Sequence, residues 1–137
     1  MGKALGIDYG TKRTGIAITD PEKIIAFGLT TVATSLIYDF IADIFLKDDI
    51  DFFVVGYPIN LDGNVTDNTL HVKNFITNLK KKYPKISVHK VDERLTSKIA
   101  KKAILASGVK KTKRRNKALV DEVSATIILQ NFLDYRA

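Results

Sequence analysis

Residues 50–58, IDFFVVGYP, form one continuous apolar run that ends at Gly56 and Pro58. Such a run is typical of a strand that is buried on both faces, because a strand with one face in water alternates apolar and polar residues. The run therefore predicts an inner strand of a sheet that is covered by helices.

The segments before this run predict three short strands joined by turns. Strands are expected over 3–8 and 14–20, on either side of a turn at residues 9–12. A third strand over 24–32 follows a turn at residues 20–21. Three successive strands with short connections predict an antiparallel meander.

The apolar spacing then becomes helical. A first helix is predicted over about 35–47, with Thr34 or Ser35 as its cap. The remaining predictions are a second helix marked by apolar residues from Val72 to Tyr83, a fifth strand over 86–93, a third helix ending at Gly108 and a fourth helix over about 117–135.

This order of elements predicts one α/β domain over residues 1–137, because no repeat, linker or low-complexity stretch divides the chain. Two right-handed crossovers make strands one, four and five parallel, giving a five-stranded mixed sheet flanked by helices. Ligands usually bind beyond the carboxyl ends of parallel strands. Asp8, Gly56 and Glu93 all fall at those ends.

Asp8 occupies a position where a strand enters the core, and an unpaired buried charge costs several kcal/mol. Because side chains alternate along a strand, Asp8 shares a face with the small residues Ala4 and Gly6. A helix can approach such a face closely. The fourth helix offers a matching stripe at steps of three and four, formed by Asp121, Ser124, Ala125 and Ile128. This packing would bring Asp121 beside Asp8.

Glu93 closes the predicted fifth strand, so three carboxylates, those of Asp8, Glu93 and Asp121, are expected to converge. Carboxylates that meet without a cation repel one another, and a divalent cation removes the repulsion. Oxygen ligands without sulfur suit Mg²⁺ or Mn²⁺. Two such ions can support phosphodiester hydrolysis. The three residues are therefore predicted as catalytic metal ligands.

Each carboxylate also has an ordinary structural explanation. Glu93 could be a solvent-facing charge at a strand end, and Asp121 could be a favourable anion in the first turn of a helix. Asp8 could accept hydrogen bonds from the following turn. Each explanation is the better one for its residue alone, but the predicted topology brings all three to one edge.

The chain is basic, with a net charge of +7, which points to a polyanion: nucleic acid, nucleotide or an acidic membrane. A run of like charges is usually a solvated loop, but the run here leads into the helix that carries Asp121. We therefore favour contact with nucleic acid through Lys110, Lys111, Lys113, Arg114, Arg115 and Lys117.

Composition excludes some kinds of site. The chain has no cysteine and two histidines, so disulfides are excluded and a zinc site is disfavoured. No signal pattern and no run of about twenty apolar residues occurs. The sequence predicts a cytoplasmic protein without a membrane partner.

Four motifs in order resemble the YqgF family of RNase H-like proteins, also described as RuvX-type Holliday junction resolvase homologues or pre-16S rRNA nucleases. The motifs are GIDYGTKRTGIA at 6–17, VVGYPINLDG at 54–63, DERLTS at 92–97 and KALVDEVSATIILQNFLD at 117–134. The sequence departs from the family at Tyr57, where leucine is common, and in the segment NVTDNT that follows Asp62 and Gly63.

The resemblance implies an RNase H-like fold, places the family's acidic positions on Asp8, Glu93 and Asp121, and makes Arg13 and Arg94 candidates for contact with the nucleic-acid backbone. It further implies a divalent-metal nuclease that matures the 5′ end of 16S rRNA, with structured RNA or branched DNA as its partner. We expect a monomer or a weak homodimer.

Three other functions stay open. The protein could be a resolvase of branched DNA, or an RNA-binding ribosome-assembly factor that does not cleave. DYGTKRTG is also similar to the first phosphate loop of ATPases of the actin and sugar-kinase type. Those proteins clamp a nucleotide between two lobes, and 137 residues allow one lobe.

Overall fold

The computed structural model describes residues 2–57, 67–92 and 117–135. A five-stranded sheet has the strand order β3-β2-β1-β4-β5. Its strands are β1 (Lys3–Asp8), β2 (Arg13–Thr19), β3 (Ala26–Ala33), β4 (Ile50–Tyr57) and β5 (Ser87–Asp92), and its helices are α1 (Ile37–Lys47), α2 (Asp67–Lys82) and α3 (Lys117–Tyr135).

The pairing of the strands confirms the predicted topology. β2 lies antiparallel to β1 and to β3, while β4 lies parallel to both β1 and β5. The predicted strand bounds were correct to within two residues among the described positions. Helix α3 is the predicted fourth helix, and the predicted third helix ending at Gly108 lies outside the described residues.

The predicted cap of the first helix was wrong. A 3₁₀ turn over Thr34–Leu36 precedes α1, whose N-cap residue is Leu36, without a capping side chain. The hydroxyl of Thr34 instead donates to the carbonyl oxygen of Gly10 at 2.6 Å and lies 2.9 Å from the hydroxyl of Thr14. Thr34 therefore ties the end of β3 to the β1–β2 turn.

Large apolar residues fill the face of the sheet that α1 and α2 cover. Leu5, Ile7 and Phe53 of the strands pack with Ile41 of α1 and Leu79 of α2, and all five are fully buried. Aromatic rings extend this layer, including Tyr9 and Phe75, which are stacked with ring centroids 4.6 Å apart. Among the described residues, this layer is the larger of the two apolar cores.

Small residues line the opposite face, which α3 covers. Ala4 and Ala17 of the sheet are fully buried against Ala125 and Leu129 of the helix. The side-chain amide of Gln130 fastens α3 to β3, since its oxygen accepts the N–H of Ala26 at 2.8 Å. The helix thereby lies across the first strands of the chain.

None of the helices in the described part of the chain is long and apolar enough to cross a membrane.

Candidate active site

Gly15 of β2 is the point at which Asp8 and Asp121 come together. Asp8 ends β1 and is the cross-strand partner of Gly15. A Cβ atom at Gly15 would overlap the backbone carbonyl of Asp121, so the first turns of α3 rest directly on this glycine. The predicted approach of Asp121 to the end of β1 is therefore seen in the fold.

The alternation of side chains explains why both carboxylates reach this place. Ala4 belongs to the core under α3, whereas Leu5 and Ile7 belong to the core under α1 and α2. By the period of two, Asp8 is on the α3 face. It is half-buried and has an interaction within the protein, so its charge is not isolated in the core.

A second glycine leaves room between β1 and β5 at this edge. Ile7 of β1 pairs with Val55 of β4, so the next residues, Asp8 and Gly56, lie side by side if this register continues. On its other side, Gly56 pairs with Val91 of β5. Since adjacent strands are about 4.8 Å apart, the backbones of β1 and β5 are about 10 Å apart here. Between them, Gly56 places no side chain on the α3 face.

The Asp121 carboxylate forms an ion pair with Arg13. Nε of Arg13 donates to Oδ2 of Asp121 at 2.8 Å, and the two side chains are 40% and 23% exposed. Arg13 begins β2 and shares the α3 face with Gly15 and Ala17, because the side chains alternate. Asp121 is thus held by a cation that comes from the strand beside Asp8.

Ser124 lies one turn after Asp121 on α3. Its side chain is 1% exposed, and its hydroxyl oxygen has no hydrogen-bond partner among the described residues. A buried hydroxyl without a hydrogen-bond partner lowers the stability of a fold. The site therefore contains a polar group that the rest of the described fold does not satisfy.

These observations fit a divalent cation held by oxygen. Asp8 and Asp121 supply hard carboxylate oxygens, the ligands that Mg²⁺ and Mn²⁺ prefer. The glycines keep side chains away from the space beside them, and Ser124 offers a further oxygen near Asp121. Within residues 2–57, 67–92 and 117–135, no three His, Asp or Glu side chains form a metal-binding group.

The roles of all the predicted site residues stay predictions, and several of these residues lie outside the described part of the chain. Glu93 follows the last residue of β5 and lies outside the described residues, as do Arg94, Lys110, Lys111, Lys113, Arg114 and Arg115. Lys117 begins α3, and its side chain is not described. Of the predicted catalytic residues, the described structure brings together Asp8 and Asp121.

Sequence reasoning missed the pair between Arg13 and Asp121. It assigned Arg13 to the nucleic-acid backbone and Asp121 to a metal, each without regard to the other. The sequence did contain a clue to this pair. Arg13 is separated from Gly15 and Ala17 by even numbers of residues, so all three lie on the same face of β2. The unpaired hydroxyl of Ser124 had no such signal, because hydrogen-bond satisfaction depends on packing.

Comparison with known proteins identifies close relatives. The profile of the RuvX family, described as Holliday junction resolvase, matches residues 2–135. A protein of Porphyromonas gingivalis named "Putative pre-16S rRNA nuclease" is 48% identical over 134 residues, covering 98% of this chain and 97% of its own. A protein of Christiangramia forsetii with the same name is 47% identical over 133 residues, covering 97% and 98%.

A solved structure confirms the fold class. T. thermophilus RuvC, titled as a complex with a Holliday junction substrate, superposes with a TM-score of 0.60 at 14% identity. The match covers 99% of this chain and 96% of the RuvC chain. The predicted RNase H-like sheet and the predicted family are both confirmed.

Proposed function

Since this chain belongs to the RuvX family of nucleases, we propose that it hydrolyses phosphodiester bonds of precursor 16S rRNA with a divalent cation, Mg²⁺ or Mn²⁺, held by Asp8, Asp121 and Glu93. The observation that carries the proposal is the meeting of Asp8 and Asp121 at Gly15. The substrate is inferred from the names of the relatives from Porphyromonas gingivalis and Christiangramia forsetii.

Glu93 is included because of its place in the alternating series on β5. His89 packs against Phe132 of α3, with ring centroids 4.8 Å apart, and Val91 packs against the same core. Glu93 is the next residue in this series in the sequence. Its carboxylate would complete the ligand set on the far side of Gly56.

A bound divalent cation would stabilise the charge that develops on the phosphate oxygens during hydrolysis. The protein's own task is to hold the carboxylates in position and to orient the phosphate. Gly15 and Gly56 support that task because they let backbones and ligands approach closely.

The basic residues between Lys110 and Lys117 are proposed to hold the nucleic-acid backbone. They precede the helix that carries Asp121, so a backbone bound there would run towards the acidic edge. Arg13 and Arg94 are proposed as further phosphate contacts. Such contacts supply affinity that depends strongly on salt.

The test replaces each carboxylate by its uncharged amide. We expect Asp8→Asn and Asp121→Asn each to lower cleavage of a precursor 16S rRNA fragment at least about 100-fold, because each removes a ligand for the stabilising cation. Cleavage is followed on denaturing gels in Mg²⁺ and in Mn²⁺, with EDTA as the blank.

The matched control is Asp43→Asn, which makes the same change at an exposed position on α1, across the sheet from the site. This variant is expected to cleave like the wild type. If Asp8→Asn folds, binds the fragment and cuts as well as the wild type, the proposed ligand set is wrong. Binding without any metal-dependent cleavage by the wild type would favour the assembly factor that does not cleave.

Branched DNA is a second candidate substrate, because the family profile is described as Holliday junction resolvase. A four-way junction is therefore assayed beside the rRNA fragment at equal concentration. Faster cleavage of the junction would assign the protein to DNA rather than to rRNA.

A further inference from the structure

Arg13 is placed to serve a second partner besides Asp121. We propose that Arg13 neutralises Asp121 while the acidic site holds no divalent cation, and that it turns to a phosphate of the nucleic acid once the cation has taken the Asp121 carboxylate. The inference rests on the proposed function and adds an order of events: cation first, then the arginine contact.

The geometry permits both positions of Arg13. Asp8 pairs with Gly15, so Arg13, two residues earlier on the same face, is the diagonal cross-strand neighbour of Asp8. Diagonal neighbours lie roughly 7–8 Å apart, within reach of a long side chain. The guanidinium is thus bonded to Asp121 and belongs to a side chain that starts within reach of Asp8.

The existing bond leaves the guanidinium with donors for a phosphate. The ion pair uses Nε, which is one of the five N–H donors that an arginine carries in a fixed plane. The side chain is 40% exposed, so it lies where a ligand arriving from solvent can meet it. Arginine suits this role because its planar fork matches two phosphate oxygens.

Electrostatics makes the two cations competitors. The guanidinium and a divalent cation would both contact the Asp121 carboxylate, and like charges a few ångströms apart repel each other. Binding of the divalent cation therefore weakens the hold of Asp121 on Arg13. By thermodynamic reciprocity, removal of Arg13 must strengthen binding of the cation.

The first measurement is binding of Mn²⁺ alone, by isothermal titration calorimetry without nucleic acid. Arg13→Gln is expected to bind Mn²⁺ roughly 1.5-fold to fivefold more tightly than the wild type, the range set by the strength of an exposed ion pair. Arg13→Lys, which keeps the charge, is expected to remain close to the wild type.

Lys3→Gln is the matched control. It removes one positive charge from another strand residue that pairs with an aspartate, since Nζ of Lys3 lies 2.8 Å from Oδ1 of Asp48. This pair stands at the opposite end of β1 from Asp8. The control is expected to leave Mn²⁺ affinity unchanged, which separates a local effect from the change in net charge.

The second measurement is binding of a labelled RNA hairpin over a range of KCl concentrations, in EDTA or in constant Mn²⁺, with the hairpin's integrity checked on a gel. In EDTA, Arg13→Gln is expected to match the wild type, because the charge of Arg13 is then neutralised by Asp121 and adds little attraction to a phosphate. In Mn²⁺, the plot of log binding constant against log salt should be less steep for Arg13→Gln than for the wild type. The magnitude of its slope should be smaller by about 0.7–0.9, which corresponds to the loss of one phosphate contact.

Two results would overturn the exchange. Unchanged or weaker Mn²⁺ binding by folded Arg13→Gln would make Arg13 a support for Asp121 only. If Arg13→Gln reduces the salt dependence of RNA binding equally in EDTA and in Mn²⁺, Arg13 contacts a phosphate whether or not the cation is bound. Failure of the proposed function looks different, since Asp8→Asn would then bind Mn²⁺ like the wild type, and the exchange would fall with it.

Discussion

The two faces of the sheet are built from different residues and do different work. Under α1 and α2, large side chains such as Phe53, Ile41 and Leu79 fill the space between the layers. Under α3, glycine and alanine predominate, and the helix backbone nearly touches the sheet. Burial of large apolar surface supplies stability, whereas close approach supplies the positions of Asp8 and Asp121.

This contrast explains why the site lies on the face with the smaller core. A helix held farther from the sheet by large side chains would carry Asp121 away from Asp8. Glycine at the point of contact lets the end of β1 and the first turns of α3, which carry Asp8 and Asp121, come close together. The candidate site therefore depends on the glycines as much as on the acidic residues.

The largest expected effect comes from filling that point of contact. Gly15→Ala is expected to push the first turn of α3 off the sheet, because the new Cβ would meet backbone atoms of Asp121, which cannot swing aside. A displacement of about 1 Å at a catalytic group can cost about 100-fold in rate. Cleavage of the rRNA fragment and the thermal midpoint of unfolding are the measurements.

Gly28→Ala is the control for this prediction. Its Cβ would lie 2.8 Å from Oε1 of Glu122, the end of a flexible side chain that can move. Cleavage is expected to stay near the wild-type rate. Equal losses in Gly15→Ala and Gly28→Ala would show that close packing of α3 as a whole, not the position of Asp121, controls activity.

A cavity under α1 and α2 should lower the stability of the fold and leave the rate of cleavage unchanged. Ile41→Ala is expected to lower the free energy of unfolding by about 2–5 kcal/mol, because Ile41 is fully buried in the larger core. Urea unfolding gives this value. Cleavage per folded molecule, measured well below the thermal midpoint, should match that of the wild type.

The milder variant Ile41→Val, with an expected cost of about 0.5–1.5 kcal/mol, covers the case in which Ile41→Ala does not fold. A fall in cleavage per folded molecule in both variants would contradict the division of labour between the faces.

The smallest effect is expected at Ser124. Ser124→Ala removes a buried hydroxyl without a hydrogen-bond partner among the described residues, so it should raise the free energy of unfolding by up to about 1 kcal/mol. Urea unfolding is again the measurement. A loss of stability would mean that the hydroxyl has a partner in the folded protein.

Thr19→Val gives the matched comparison on the same face. The hydroxyl of Thr19 is also buried, but it accepts the N–H of Ala4 at 2.8 Å and donates to the carbonyl of Asp20. Its removal should lower the free energy of unfolding by about 1–3 kcal/mol. Opposite signs for the two hydroxyls would confirm that satisfaction, not burial, decides their contribution.

The fold was predictable because local patterns in this chain agree with its tertiary structure. The apolar run at 50–58 indicated an inner strand, and β4 indeed lies between β1 and β5. Parity alone assigned Leu5 and Ile7 to one face and Asp8 to the other. Periodicity can be read from the sequence alone, so predicting these faces required no knowledge of tertiary contacts.

Within the candidate site, the sequence predicted only the part that backbone register determines, which is the approach of Asp121 to Asp8. Asp8 and Asp121 meet because a strand end and a helix stripe are each encoded locally. The pair between Arg13 and Asp121 depends on the rotamers of two side chains from distant elements. The role of Thr34 was missed for the same reason, since a distant carbonyl competes with the expected cap.

The packing of α3 on the first strands has a consequence for the order in which the protein is synthesised and folded. Arg13 and Asp121 are separated by 108 positions in the chain, and a ribosome adds about 5–20 residues per second. The first strands therefore leave the ribosome roughly 5–20 seconds before their helical partner exists. Throughout that interval the nascent polypeptide contains Asp8 and Arg13 but not yet Asp121, so the contacts between α3 and the first strands cannot form until synthesis is nearly complete.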